Sequence, residues 1–249
     1  MRVISLGWGR QSYALAVMSA LGDLPRVDYA IHADTLHESS KTYEFAAKWT
    51  PWLEDHGIKV VTVKNPIATP IVDWGGVFIP AFTSNGKSDG QLRRQCTQRW
   101  KIAPMRKWLQ AHRNGEQVEQ WIGISLDEYQ RMKPSDVGYI THVWPLIDAR
   151  MSRNDCVQWL DRRGLEVPPR SACTFCPFKS GREWRLTKRI ESDWQEALEV
   201  DEAIRSARPP FDLFVHPARI PLGEVDMRSA QERGQLPLWD NECSGECGV

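Results

Sequence analysis

A four-residue apolar strand running straight into a glycine-punctuated turn and a helix start is the feature that most restricts how this chain can fold. It lies at residues 2–12, Arg-Val-Ile-Ser-Leu-Gly-Trp-Gly-Arg-Gln-Ser. Val3 to Leu6 reads as a buried strand, Gly7 and Gly9 punctuate it, and Ser12 opens a helix with apolar positions at Leu15, Met18 and Leu21. A loop between strand and helix turns backbone N–H groups and the positive helix end toward the sheet rim, a ready place for phosphate. No Gly-Lys-Ser/Thr follows, so this is not a Walker loop, and Ser12 stands where a dinucleotide fingerprint has its third glycine.

The pattern repeats downstream. Val27 to Ala33 reads as a second strand ending at Asp34-Thr35, and Thr42 starts a helix to about His56 with Pro51 kinking or dividing it. Ile58 to Val63 is a third strand, and residues 64–92, rich in proline and glycine without a clear period, read as a long insertion placed to act as a flap. Val118 to Ile124 makes a fourth strand that runs into Gly123-Ile124-Ser125, and Val143 to Leu146 an edge strand. Ser152, with Asp155 three residues on, caps a helix to Arg163 closed by Gly164. Ser180 to Arg208 reads as one long amphipathic helix. Strands alternating with helices predict an α/β fold with a doubly wound parallel sheet over residues 1–165, followed by a helical, cysteine-containing extension over 166–249. In such a sheet Asp34, Thr35 and residues 123–125 fall on the ligand-binding rim.

Charge and cysteine usage narrow the function classes. The 32 basic and 32 acidic residues balance, which argues against a protein that coats nucleic acid indiscriminately but leaves room for a local basic groove. Such a groove is expected over residues 93–113, where Arg93, Arg94, Arg99, Lys101, Arg106 and Lys107 stand without an acid and Trp100 and Trp108 offer stacking surface. No apolar run is long enough to span a bilayer, and the chain reads as cytoplasmic, where six cysteines are more apt for metal or redox chemistry than for disulfides. Cys173-Thr174-Phe175-Cys176-Pro177 puts two thiols in a tight turn, open to a zinc knuckle, cluster ligation or dithiol chemistry.

Ser5-x-Gly7-x-Gly9-x-Gln11-Ser12 resembles the PP-loop of the adenine nucleotide alpha-hydrolase-like superfamily, with Trp8 where glycine is usual and Gln11 where an acid is usual. Asp34-Thr35-Leu36, Cys96-Thr97-x-x-x-Lys101-x-x-Pro104 and Gly123-Ile124-Ser125-x-Asp127-Glu128-x-x-Arg131 are similar to segments of the phosphoadenosine phosphosulfate (PAPS) reductase-like family, phage and bacterial type. The resemblance implies a Rossmann-like nucleotide domain in which Ser5, Gly7, Gly9, Gln11 and Ser12 hold phosphate and Asp34, Thr35, Gly123, Ile124, Ser125 and Arg131 the remainder of ATP or a related adenine nucleotide with Mg2+. It implies Gln11 and Asp34 in catalysis, and Cys96, Cys173 and Cys176 as ligands of an iron–sulfur (4Fe-4S) cluster or of zinc. The expected reaction is adenylation of a nucleic-acid (tRNA or DNA) or nucleotide substrate for sulfur transfer from a donor. Glu246-Cys247-Gly248 resembles the reductase tail and keeps open sulfonucleotide reduction with Cys247 as nucleophile and a thioredoxin-like partner. A non-catalytic nucleotide or nucleic-acid binding module with structural zinc is the remaining reading.

Overall fold

The computed structural model describes residues 1–65, 72–73, 76–229 and 231–234. The strands and helices follow the chain as β1 (Arg2–Ser5), α1 (Arg10–Leu21), β2 (Tyr29–Asp34), α2 (Ser40–Asp55), β3 (Lys59–Lys64), β4 (Val72–Asp73), β5 (Gly76–Val77), β6 (Phe82–Ser84) and β7 (Asp89–Gln91). A π-helical stretch, Thr97–Ile102, leads into α3 (Ala103–His112), and β8 (Val118–Trp121) is followed by a 3-10 stretch, Leu126–Arg131. Then come β9 (Ile140–Val143), α4 (Pro145–Asp148), α5 (Arg153–Arg162), α6 (Gly181–Lys188), α7 (Glu191–Ile204) and β10 (Asp212–Phe214).

The chain divides into two compact units: Met1–Ala68 with Cys96–Ser171, and Thr69–Gln95 with Ala172–Val249. Unit 1 carries a five-stranded sheet in the order β3-β2-β1-β8-β9, every neighbouring pair parallel. Both faces are covered, which is why the two central residues of β1 are apolar in succession: Ile4 enters the core with α1 and α5, and Val3 the core with α3. Strand order reverses at β1, with β2 and β3 on one side and β8 and β9 on the other, so the loops after β1 and β8 open onto the switch point, where ligands bind in doubly wound folds.

Unit 2 is where the sequence expectations need most correction. Within the 64–92 insertion, expected as a flap, β6 pairs antiparallel with both β7 and β10, so this stretch belongs with the C-terminal part. The single helix expected over 180–208 is two, broken at Arg189–Ile190, where Ile190 is extended (φ −110°, ψ 107°) and leads into α7. In unit 1 the edge strand ends at Val143, three residues before its expected end, since Pro145 begins α4. Pro51 is accommodated inside α2, which runs unbroken to Asp55. The capping box on α5 forms as read, with Ser152 Oγ accepting from the Asp155 N–H and the Asp155 carboxylate from the Ser152 N–H.

Candidate functional site

The β1–α1 loop leaves the start of α1 uncapped by any side chain. Gly9 precedes α1 as its cap, and no acidic residue stands in the first turn. The loop is closed from within, as the Gly7 N–H donates to Ser12 Oγ (3.1 Å) and that hydroxyl donates to the Gly9 carbonyl (3.3 Å). Trp8, at φ 54°, is in the left-handed region and buries its indole against Tyr13, His32 and Phe45. Gly123, from the loop after β8, lies against this turn: a Cβ there would meet the Ser12 nitrogen at 2.8 Å. Only glycine lets the two switch-point loops approach so closely.

The expected rim residues fall into two groups beside the loop. On the β8 side, the Gln11 amide donates to Ser125 Oγ (3.2 Å) and to Glu128 Oε2 (2.8 Å), while Glu128 Oε1 accepts from Arg131 (2.6 Å) and Arg153 (2.7 Å). Burial raises the Asp127 carboxyl, but hydrogen bonds from Ser125 and the Arg153 N–H, with the Arg153 charge, leave it below its ordinary value. On the β2 side, Asp34 Oδ1 accepts from the Leu36 N–H and the Tyr43 hydroxyl, both at 2.8 Å, and Thr35 is buried. Burial, then the hydrogen bond and charge of Asp34, push the Tyr43 hydroxyl well above its ordinary range. Ser5 Oγ accepts from the Gln120 amide (2.8 Å), and Ile124 is buried.

Residues that the sequence did not single out complete the site. Glu38 is buried, pairs with Lys101 (2.9 Å) and accepts from Ser171 Oγ (3.0 Å). His32 sits under the loop with Nδ1 3.1 Å from the Leu6 carbonyl, and burial lowers its pKa. Glu128 lay inside a motif already quoted, whereas no local pattern marks Glu38, whose partners Lys101 and Ser171 stand over 60 residues away.

The basic stretch is divided between the two units, and several of its cations are paired. Arg93 and Arg94 belong to unit 2 and Arg99, Lys101, Arg106 and Lys107 to unit 1. Lys101 is paired to Glu38, Arg106 to Asp136, and the Arg94 guanidinium lies 5.6 Å from the Phe178 ring centre. Nor are the tryptophans open stacking surface: Trp100 is buried with the His37 ring at 5.6 Å, and Trp108 stacks on His112 at 4.2 Å. Acids distant in sequence and neighbouring rings supply the partners that the local sequence lacks.

The cysteine expectations divide likewise. Cys173 and Cys176 share a turn in unit 2, closed by the Cys176 N–H on the Cys173 carbonyl (3.1 Å), and neither is in a disulfide. Lys179 stands nearby with its pKa lowered by burial and drawn back up by Cys176 and neighbouring carboxylates. Cys96 belongs to unit 1, and among the described residues no three His, Cys, Asp or Glu side chains form a group able to hold a metal ion. Cys156 is a core residue, its thiol pushed up to about 12 by burial. Cys247 lies outside the described residues.

No family model matches the chain. It is 23% identical over 144 residues to "Uncharacterized nin region protein ORF290" of Escherichia phage lambda; the match takes in 56% of this chain and 45% of that protein, less than half its length. Among solved structures it is similar to a phosphoadenylyl-sulfate (PAPS) reductase from Candida auris in phosphate complex, at 11% identity and TM-score 0.44, over 67% of this chain and 74% of that one. Among the described residues no helix is long and apolar enough to cross a membrane.

Proposed function

We propose that the chain is a PP-loop-type enzyme that binds ATP or a related adenine nucleotide across the β1/β8 switch point and uses it to activate a substrate oxygen by adenylation ahead of sulfur transfer. The observation that carries this reading is the uncapped α1 N-terminus, with Gly123 of the neighbouring loop packed on Ser12. Backbone N–H groups at the start of α1 would hold phosphate. Asp34 receives both its hydrogen bonds on Oδ1, which leaves Oδ2 for a ribose hydroxyl or for Mg2+. In the reaction the substrate oxygen attacks the α-phosphorus, pyrophosphate leaves, and a sulfur nucleophile then displaces AMP. Adenylation is what turns a poor oxygen leaving group into a good one.

Cys173 and Cys176 match two ligands of a zinc or iron–sulfur site, and a cluster would supply sulfur chemistry. Two thiols are half of a tetrahedral set, and no third donor joins them among the described residues, so no step is routed through a metal. The Glu246-Cys247-Gly248 tail favours the second reading, sulfonucleotide reduction by the Cys247 thiolate.

Calorimetric titration with ATP, followed by pyrophosphate release in the presence of tRNA or DNA, tests the first reading. Binding with acceptor-dependent release is the expected result, and absence of ATP binding at millimolar concentration removes the reading. Cys247→Ser then separates the chemistries: turnover of a sulfonucleotide that vanishes in this variant, with nucleotide binding kept, establishes the second.

A further inference from the structure

Helix α6 carries its positive charge on the stripe that faces water, and we propose that this stripe, with the Phe178 ring before it, is a binding surface for a single-stranded nucleic acid. It would give the proposed reaction a place for its acceptor, but it rests on unit 2 alone. With its C-cap, α6 holds Arg182, Arg185, Lys188 and Arg189 against one acid, Glu183. That acid is turned to the helix start, where it accepts from the Ser180 N–H (2.7 Å) and hydroxyl (2.8 Å). Trp184 and Thr187 are buried on the inner face. Arg182, Arg185 and Arg189, spaced i, i+3 and i+7, share the opposite one. Arg182 and Arg189 are exposed, and Arg185 is half-buried with the Met227 carbonyl at 3.4 Å. Arg182 and Arg189 stand about 10 Å apart along the axis, at about 1.5 Å per residue. A stacked strand places about three phosphates in that length.

Three observations separate this face from an ordinary solvated one. Like charges at helical spacing repel, so a face with no role beyond solvation does better with mixed signs. Arginine, with its planar fork of donors, is the side chain suited to phosphate. Glu232 lies close enough to Arg185 and Arg189 to offset part of their charge, while Arg182 is in no ion pair among the described residues. Phe178 is 46% exposed with the Arg94 guanidinium 5.6 Å from its ring centre, and it leads through Lys179 into the Ser180 cap of α6. A half-exposed ring beside a guanidinium is a stacking platform for an unpaired base. Phe178 and Leu186 are the exposed large apolar side chains of this stretch, too few for a helix that inserts among lipid tails, so a membrane is the poorer fit.

The test measures fluorescence anisotropy of a labelled single strand of about 12 nucleotides, a length within the range of such sites, and of the matching duplex, against the full chain. Wild type is expected to bind the strand more tightly than the duplex. Arg182→Gln/Arg189→Gln should weaken the strand about ten-fold and reduce the slope of log affinity against log salt by about 1.4, the share of two phosphates. Phe178→Ala should weaken the strand about ten-fold and leave duplex affinity and the salt slope unchanged. Lys59→Gln/Lys87→Gln, which removes two exposed charges elsewhere, should bind like wild type. The proposal is overturned if wild type binds no strand at low salt, if either α6 arginine loss or Phe178→Ala has no effect, or if the Lys59/Lys87 variant loses as much. Binding to phosphatidylserine vesicles in place of the strand overturns it too. Thermal unfolding checks each variant, and should Arg182→Gln/Arg189→Gln not fold, Arg182→Gln alone decides, with a slope change of about 0.7. ATP binding without strand binding defeats this inference alone; strand binding without ATP binding defeats the nucleotide reading alone.

Discussion

Trp8, where the resembling motif has glycine, and Leu36 both hold left-handed backbone, φ 54° and 63°. The two bear this strain differently. Trp8 is 1% exposed, and its packed indole offsets a left-handed penalty of about 1–2 kcal/mol. Leu36 is 39% exposed and recovers little. Leu36→Gly should therefore raise stability by about 0.5–1 kcal/mol in denaturant unfolding, the relief of strain exceeding the added chain entropy of glycine. Gln11 makes a complementary case. The acid usual at its position would stand 2.8 Å from the Glu128 carboxylate, where the amide instead donates. Gln11→Glu is expected to destabilise by about 1–3 kcal/mol, and Gln11→Glu combined with Glu128→Gln to recover most of it, because the hydrogen bond re-forms with its direction reversed. A double variant as unstable as the sum of the two single ones would show that the pair does not interact.

At the scale of elements, the meeting of the β1–α1 loop with the loop after β8 is the contact most open to a decisive substitution. A methyl at Gly123 has the Ser12 nitrogen at 2.8 Å and its Cα at 3.1 Å, backbone atoms that cannot rotate aside. Gly123→Ala should cost about 1–3 kcal/mol and displace the β1–α1 loop, read as a lower unfolding midpoint and, on the proposed nucleotide reading, as weaker ATP binding. Helix α5 tests its cap: Ser152→Ala removes an acceptor for the Asp155 N–H and should cost about 1 kcal/mol in urea unfolding. Such local devices were legible in the sequence, because the capping box, the glycine loop and the apolar strand runs each lie within a few residues. The long-range features were not. Phe82 to Ser84 gave no sign of pairing with Asp212 to Phe214, since register across 130 residues leaves no local period. The sequence likewise named Gln11, Asp34 and Ser125 as rim candidates but not Glu38, Tyr43 or Arg153, whose contacts are made by partners brought close only by the fold. The break at Ile190 was hidden because helical apolar spacing continues through it.

For the whole molecule, each unit contains one histidine that burial holds away from protonation, and this fixes the sign of its acid response. His32 in unit 1 is buried with Nδ1 on the Leu6 carbonyl; His216 in unit 2 is partly buried and accepts the Ala218 N–H on Nδ1. Burial lowers both pKa values from 6.5. Unfolded, each ring takes its proton near the ordinary value, while the folded ring takes it only at lower pH. Between those two points the unfolded chain binds more protons, so stability falls as pH drops. The contribution is fully present above about pH 6.5 and is lost as pH falls toward the folded pKa, at up to about 1.4 kcal/mol per pH unit for each ring. Urea unfolding at pH 7.5 and 5.5 should show this loss, and His32→Asn, whose amide can still donate to Leu6, should have a smaller one. Hydrogen exchange localises the effect by unit. His32→Asn should reduce the acid sensitivity of amides in β1 and β2, and His216→Asn that of amides from Leu213 to Val215. Identical pH slopes for wild type and both variants would assign the acid response to other groups.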